Sequence, residues 1–344
     1  MKVLVVGPKS VHVSNYIAAL GKAGITPDLL AEESCDFENV SQEFHISFRS
    51  TKPWNVMRSV QDLKRVLKQV QPDIVHIHQV NRLAYFTART CDKMNIPVVT
   101  TAWGSDVLII PQANAFYKML VRKTLERSAI ITADSEEMIQ AMKKLHASDR
   151  KYHLLQYGVD VIQSQDKVNV IYSNRLHEPI YRIDQIINYA ADFFQNHPDW
   201  KLVVGAVGTL TEALKEQVKD LGIGDKVEFV GWLQKSDNQN WYAKSSVYIS
   251  IPKHDGTAVS LLEAMSAGCI PIVSDLAVSR EWIKQGENGI IEEKNVNPLV
   301  KALEMDSQKC AEINRKLIQE KASRDNCTKS FVKFYQEIVR TEVI

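Results

Sequence analysis

The sequence predicts an α/β protein of two domains, each built on a parallel sheet. Three observations lead there. Strand-like and helix-like segments alternate along the whole chain, the order that parallel α/β sheets require. The strand-like segments are short, β-branched and almost continuously apolar, as strands covered by helices on both faces are. The length of 344 residues exceeds one ordinary core and fits two domains of about 150 residues each.

In the first half, Val3–Val6, Ile74–Ile77, Pro97–Thr101 and Ala129–Thr132 read as strands. Helical patterns lie between them, from about Val13 to Lys22 with a stop at Gly24, and over about 54–70, 82–94, 112–127 and 135–146. The run VDVIQSQDKVN (159–169) has no apolar stripe and marks the boundary. We place the first domain at 1–163, the second at 164–325, and a last amphipathic helix at about 326–342 within a C-terminal segment 326–344. In the second half, Val168–Tyr172, Lys201–Val204, Val227–Val230, Val247–Ile251 and Ile270–Val273 read as strands. Ile183, Ile187, Ala190 and Phe194 share one helical face; Leu214, Val218 and Leu221 stripe the next helix, which stops at Gly222. Asn297-Pro298 opens a helix with a cap residue followed by Pro at the first position.

Composition narrows the function classes. Hydrophobic residues make up 45% and charged residues 24%, which is globular and not disordered. Lys plus Arg is 42 against 41 Asp plus Glu, a formal charge of +1, without the basic excess of a nucleic-acid binder. The balance is uneven: residues 1–165 hold 20 Lys/Arg against 16 Asp/Glu, or +4, and residues 166–344 hold 22 against 25, or −3. No stretch approaches the roughly 20 apolar residues that span a bilayer. The opening MKVLVVGPKS has too short an apolar run for a signal peptide and reads as a strand meeting a turn. Five widely spaced cysteines without a CxxC point to a reducing cytosol and away from disulfides or a zinc knuckle.

Ligands of doubly wound sheets bind beyond the carboxyl ends of the strands, so candidate chemistry is sought there. After the first strand stands Gly7-Pro8-Lys9-Ser10-Val11-His12, which is neither GxGxxG nor a Walker A loop. It is a weak anion or sugar site at a helix start, or an ordinary strand–helix turn. In Thr101-Ala102-Trp103-Gly104-Ser105-Asp106, Trp103 can stack on a ring or wall the core, and Asp106 can accept hydroxyl protons. The His76-Ile77-His78 run is read with its two rings on opposite strand faces, a geometry that cannot chelate one metal. The densest signal is Asp255-Gly256-Thr257-Ala258-Val259-Ser260-Leu261-Leu262-Glu263, a Gly-containing loop opening a helix, with Asp255 and Glu263 eight positions apart. Helix-start amides suit a phosphate, and a carboxylate suits a vicinal diol. Ser260-x-x-Glu263 also reads as a capping box that needs no ligand. Arg175, just past a strand, can bind a diphosphate through two oxygens or stand as a surface residue.

Taken together in their order, these segments resemble glycosyltransferase family 4, the retaining nucleotide-sugar transferases of the GT-B fold, over essentially the whole chain. DGTAVSLLEAMSAGCIPIVSD (255–275) is similar to the family's E-x7-E motif and following strand; PDIVHIH (72–78), TAWGSD (101–106), YGVD (157–160), SNR (173–175), VEFVGWL (227–233) and GENGII (286–291) occur in the family's order. The resemblance implies two Rossmann-like domains facing a central cleft. It implies a donor-binding second domain, with Glu263 on the ribose hydroxyls and Asp255 on the transferred sugar. Gly256, Thr257, Ala258, Val259 and Ser260 then offer amides to the diphosphate, Arg175 sits beside it, and Trp232 and Leu233 border the base. The first domain takes the acceptor, with Lys9, Ser10, His12, Trp103, Ser105 and Asp106 at the cleft; Gly7 is donor-binding, its loop Gly7–His12 touching the donor sugar or phosphate, and the last helix crosses back to this domain. Three departures stand out: Asp255 replaces a Glu, Trp103 replaces a His, and the family's phosphate-binding Lys is missing, with Arg182 its offset substitute.

The implied activity is retaining, metal-independent transfer of a sugar from a UDP- or GDP-sugar to a glycan or lipid-linked hydroxyl in cell-surface polysaccharide biosynthesis, without a cofactor or nucleic-acid partner. The same motifs are shared by a GT-B epimerase or phosphorylase and by a non-catalytic sugar-nucleotide-binding subunit. Lys118, Arg122, Lys123 and Arg127, and Arg58, Lys64, Arg65 and Lys68, make basic amphipathic helices that suit either an anionic membrane or plain solvent. The expected location is the cytoplasm, with peripheral contact at the inner face of the membrane.

Overall fold

The computed structural model describes residues 1–148 and 151–341; residue 342 of the expected last helix lies outside the described residues. The chain divides into two compact units, Met1–Gly158 with Arg324–Ile344, and Val159–Ser323, where the sequence reading divides it after 163 and 325.

Unit 1 carries a seven-stranded sheet of β1 (Val3–Val6), β2 (Asp28–Ala31), β3 (Glu43–His45), β4 (Ile74–His78), β5 (Val98–Thr101), β6 (Ile130–Ala133) and β7 (Tyr152–Leu154), in the order β3-β2-β1-β4-β5-β6-β7. Every pair is parallel. Successive side chains of a strand take opposite faces. Val3 and Val5 thus join Val13, Tyr16 and Ile17 of the helix Val11–Lys22, while Leu4 and Val6 join Leu63 and Leu67 of the helix Pro53–Val70. Phe331 and Tyr335 bring the helix Arg324–Thr341 into the first of these layers.

Unit 2 carries β8 (Val168–Ser173), β9 (Lys201–Gly205), β10 (Val227–Gly231), β11 (Ser245–Ser250), β12 (Ile270–Val273) and β13 (Ile290–Ile291), in the order β10-β9-β8-β11-β12-β13, again all parallel. One face packs the helices Ile183–Phe194 and Thr211–Asp220, the other the helices Lys235–Lys244, Val259–Ser266 and Ser307–Lys321. In both sheets the strand order reverses once, between β1 and β4 and between β8 and β11. That switch point opens a crevice at the carboxyl edge.

The structure adds what the periodicity misses. β2, β3, β7 and β13, with two to four residues each, add to the strands read from the sequence. Three pieces lie around the expected helix 112–127: Ser105–Leu108 precedes it, and Ile110–Ala113 and Ala115–Arg127 divide it. Asn114 ends the second and caps the third, its Oδ1 accepting from Phe116 N at 2.9 Å and Tyr117 N at 3.2 Å. Asn297 caps the helix Pro298–Leu303 by accepting from Leu299 N. All five cysteines are buried and none is in a disulfide. No helix among the described residues is long and apolar enough to cross a membrane.

Candidate active site

At the switch point of unit 2, β8 ends in Ser173 and the chain turns through Asn174 to Arg175, while β11 ends in Ser250 and leads into the loop that opens the helix Val259–Ser266. The two turns meet. Arg175 Nη2 lies 2.7 Å from Asp255 Oδ2, a charge contact without hydrogen-bond alignment. Arg175 Nη1 donates to Ser260 Oγ at 3.3 Å, and the guanidinium lies 4.5 Å from the centre of the Tyr181 ring. Burial opposes the Arg175 charge, but Tyr248, Asp255 and Tyr181 outweigh it and hold its pKa above the usual value. The site therefore keeps a fixed positive group.

Ser260 is the hinge of this arrangement, and the capping box is corrected. The N-cap is Ala258, which has no side-chain cap, so Ser260 falls inside the helix. Its Oγ accepts instead from the buried Tyr248 hydroxyl at 2.7 Å and from Arg175. Behind it, Tyr172 Oη donates to Asn238 Oδ1 at 2.5 Å, and Asn174 Nδ2 donates to Asn238 Oδ1 at 3.0 Å and to Tyr242 Oη at 2.7 Å. Burial raises the pKa of Tyr172, Tyr242 and Tyr248 and keeps these phenols neutral donors. Glu263 adds to that effect on Tyr172 and Tyr242, so its half-buried carboxylate stands close to both.

Gly256 N donates to Asp255 Oδ1 at 3.0 Å, and Gly256, Thr257 and Ala258 are half-buried with Val259 exposed. The first amides of a helix have no partner within it; here they open beside a buried cation. Trp232 is 69% exposed and Leu233 packs on the core. Arg182 does not join Arg175. It adopts φ 54° and forks onto Glu292, with Nη1 2.7 Å from Oε2 and Nη2 3.0 Å from Oε1. Sequence reasoning missed Tyr181, Tyr248 and Asn174 as parts of the site, although Asn174 stands in the SNR segment (173–175) beside Arg175.

At the switch point of unit 1, Gly7 leaves no room for a side chain. A Cβ there would lie 2.9 Å from Val13 Cγ2 and 3.2 Å from His78 Cβ. Ser10 caps the following helix by accepting from Val13 N at 3.2 Å, and Lys9 is exposed. The expected role of Asp106 in accepting hydroxyl protons is corrected. Asp106 is buried and accepts backbone protons from Val80 at 2.8 Å, Trp103 at 3.0 Å and Gly104 at 2.8 Å, which ties the ends of β4 and β5 together. Its neighbour Ser105 is exposed. Trp103 is half-buried. Its Nε1 donates to Tyr157 Oη at 2.5 Å and its ring meets that of His12 at 5.4 Å.

The opposite-face expectation for His76 and His78 is also corrected. Residues two apart share a strand face, and the ring centres are 4.1 Å apart. His76 Nδ1 meets Tyr335 Oη at 2.5 Å and its Nε2 meets Thr101 Oγ1 at 2.7 Å; His78 Nδ1 meets Tyr157 Oη at 2.7 Å. Among the described residues, no three His, Cys, Asp or Glu are grouped to hold a metal ion.

Two family models match the chain: "Glycosyl transferases group 1" over residues 160–323 and "Glycosyl transferase 4-like" over residues 2–135. The GDP-mannose:cellobiosyl-diphosphopolyprenol alpha-mannosyltransferase of Xanthomonas campestris is 23% identical over 64% of this chain and 60% of its own. Across four curated relatives the matched part covers between 13% and 66% of the relative's length. A glycosyltransferase structure from Rickettsia africae superposes with a TM-score of 0.81 at 18% identity, covering 98% of each chain. Anabaena Alr3699/HepE in complex with UDP superposes at 0.79 and 12% identity, covering 98% of this chain and all of that one.

Proposed function

We propose that this chain, which belongs to the family-4-type glycosyltransferases of the GT-B fold, moves a sugar with retention from a nucleoside-diphosphate sugar to a hydroxyl of a glycan or lipid-linked acceptor, in polysaccharide or glycoconjugate biosynthesis. The observation that supports it best is Arg175, held charged between Asp255, Ser260 and Tyr181 beside the open start of a helix.

Such chemistry needs positive charge where the diphosphate leaves, and preorganised donors in a dry site provide the most. In this reading Arg175 and the amides of Gly256–Ser260 hold the diphosphate and Glu263 the ribose. Asp255 touches the transferred sugar, and Trp232 and Leu233 border the base. The bond from the anomeric carbon to phosphate breaks, the acceptor oxygen bonds on the same face, and its proton passes to the departing phosphate. No protein base or metal is then required. The relative's name specifies GDP-mannose and the Anabaena structure holds UDP, so a GDP- or UDP-sugar is the donor to try first.

The test is a panel of nucleotide sugars with product stereochemistry read by NMR. The product keeps the donor's anomeric configuration, turnover persists in EDTA, and Glu263→Ala weakens donor binding at least tenfold. An inverted product or an absolute need for Mn²⁺ would sink the mechanism; unchanged affinity in Glu263→Ala would sink the site.

For the acceptor side, unit 1 offers an amphipathic surface. On the helix Pro53–Val70, Trp54, Met57, Arg58, Lys64 and Lys68 are exposed along one stripe, opposite the buried Leu63, Leu67 and Val70. Arg58, Lys64, Lys68 and Lys118 have no ion pair among the described residues. By contrast, Arg122 and Lys123 lean on Glu126, and Arg127 on Asp92. The stripe suits the anionic inner face of the cell membrane.

A further inference from the structure

Beyond the carboxyl ends of β11, β12 and β13, unit 2 opens a groove of about 700 Å³, within the size range of small-ligand sites. The helix Ile183–Phe194 forms one wall and residues 292–297 the other; Arg175, Ser260 and Glu263 do not line it. It therefore lies off the β8/β11 switch point.

The lining identifies the chemistry. Its charges nearly balance, with Arg182, Lys253 and Lys294 against Asp192, Asp275, Glu292 and Glu293. The two that are partly buried, Arg182 and Glu292, and the exposed Asp192 are already satisfied. Glu292 takes both prongs of Arg182 and the Tyr189 hydroxyl at 2.8 Å. Asn297 donates to Asp192 Oδ2 at 2.8 Å. Lys253, Lys294, Asp275 and Glu293 are exposed at the rim, so a polyphosphate or a metal ion would find no uncommitted opposite charge at the floor. Apolar lining is limited to Pro252, Leu276 and Val296, too little for a lipid tail.

What the groove does offer is short-range hydrogen bonding. Ser274 belongs to the lining, with its Oγ buried just behind the groove surface and without a partner, and such a group costs free energy until something satisfies it. Asn188 receives the Gln217 amide on its Oδ1 at 2.8 Å, which turns its own NH₂ to other acceptors. Lys253 and Lys294 have no ion pair among the described residues. Many donors and acceptors without net charge suit a neutral polyhydroxylated molecule.

We propose that this groove is a second carbohydrate site that takes neutral sugar residues, separate from the Arg175 cluster. The probes are cellobiose, maltose and methyl α-D-mannopyranoside, each added to the full chain without nucleotide and followed by saturation-transfer difference NMR. At least one shows saturation transfer. Asn188→Trp, which covers the mouth from an exposed helical position, abolishes it, and Ser274→Ala weakens binding several-fold. Glu263→Ala and added UDP leave the signal unchanged. The proposal is overturned if none of the three probes receives saturation, if the signal survives Asn188→Trp and Ser274→Ala, or if UDP or Glu263→Ala removes it. The last result would place the sugar in the donor site instead. Donor binding, read separately by thermal shift with nucleotide sugars, stands or falls independently of all these outcomes.

Discussion

Asp106 and Asp255 each stand a few residues past a strand, and local sequence does not tell them apart. Asp106 spends its carboxylate on three backbone amides, whereas Asp255 faces Arg175 across a partly open loop. Burial raises the Asp106 pKa while those amides pull it back, as befits a structural acceptor. Asp106→Ala leaves buried N–H groups without partners and should cost about 3 kcal/mol of stability, read as a lower urea midpoint, with Asp106→Asn recovering part. An unchanged midpoint would return Asp106 to the list of ligand-facing groups. These partners were illegible beforehand because a side chain bonding to a backbone amide leaves no periodic trace. The same holds for Ser260, whose capping-box spacing is real but whose hydroxyl is claimed by Tyr248 and Arg175.

At the scale of the element, β4 is the most constrained strand of unit 1. His76 and His78 share its face with the helix-borne Tyr16, Phe331 and Tyr335. Burial, then His12, lowers the His78 pKa to about 3, and burial, then His78, lowers that of His76. Both imidazoles are neutral in the fold. Below pH 6.5 the unfolded chain takes up protons that the fold refuses, so their stabilising effect is complete above that pH and lost as pH falls towards 3. His78→Gln should flatten the fall in unfolding free energy between pH 6 and 4 by up to one proton, about 1.4 kcal/mol per pH unit. Parallel wild-type and variant curves would show that His78 is not held neutral. The strand itself was legible from its apolar run; the pairing of its histidines required applying the two-residue period correctly and knowing which helices cover that face.

At the scale of the whole molecule, the +4 balance of the first half acquires an address. It is not spread evenly, since several cations are neutralised by neighbours while the stripe Trp54, Met57, Arg58, Lys64, Lys68 remains presented to solvent. Flotation with anionic vesicles should recover the protein at low salt and not at 0.5 M salt, roughly where the screening length falls to a few ångströms. Lys64→Glu with Lys68→Glu should reduce recovery several-fold, and Trp54→Ala should do so without altering the salt dependence. No flotation at low salt would leave the stripe as a solvated face.

The sequence by itself determined that two parallel α/β sheets would form and where most strands lie, and it directed the search for chemistry to the turns after β1, β8 and β11. Those properties follow from local apolar runs and the loops that end them. Only the tertiary structure decided which polar groups at those turns are spent on the fold and which remain for a ligand. Asp106, Ser10 and Arg182 are committed to internal partners, while Arg175 is propped on Ser260 and Tyr181 beside an open helix start. A polar group's availability depends on neighbours brought to it from remote segments, and burial sets the free energy of leaving it unpaired.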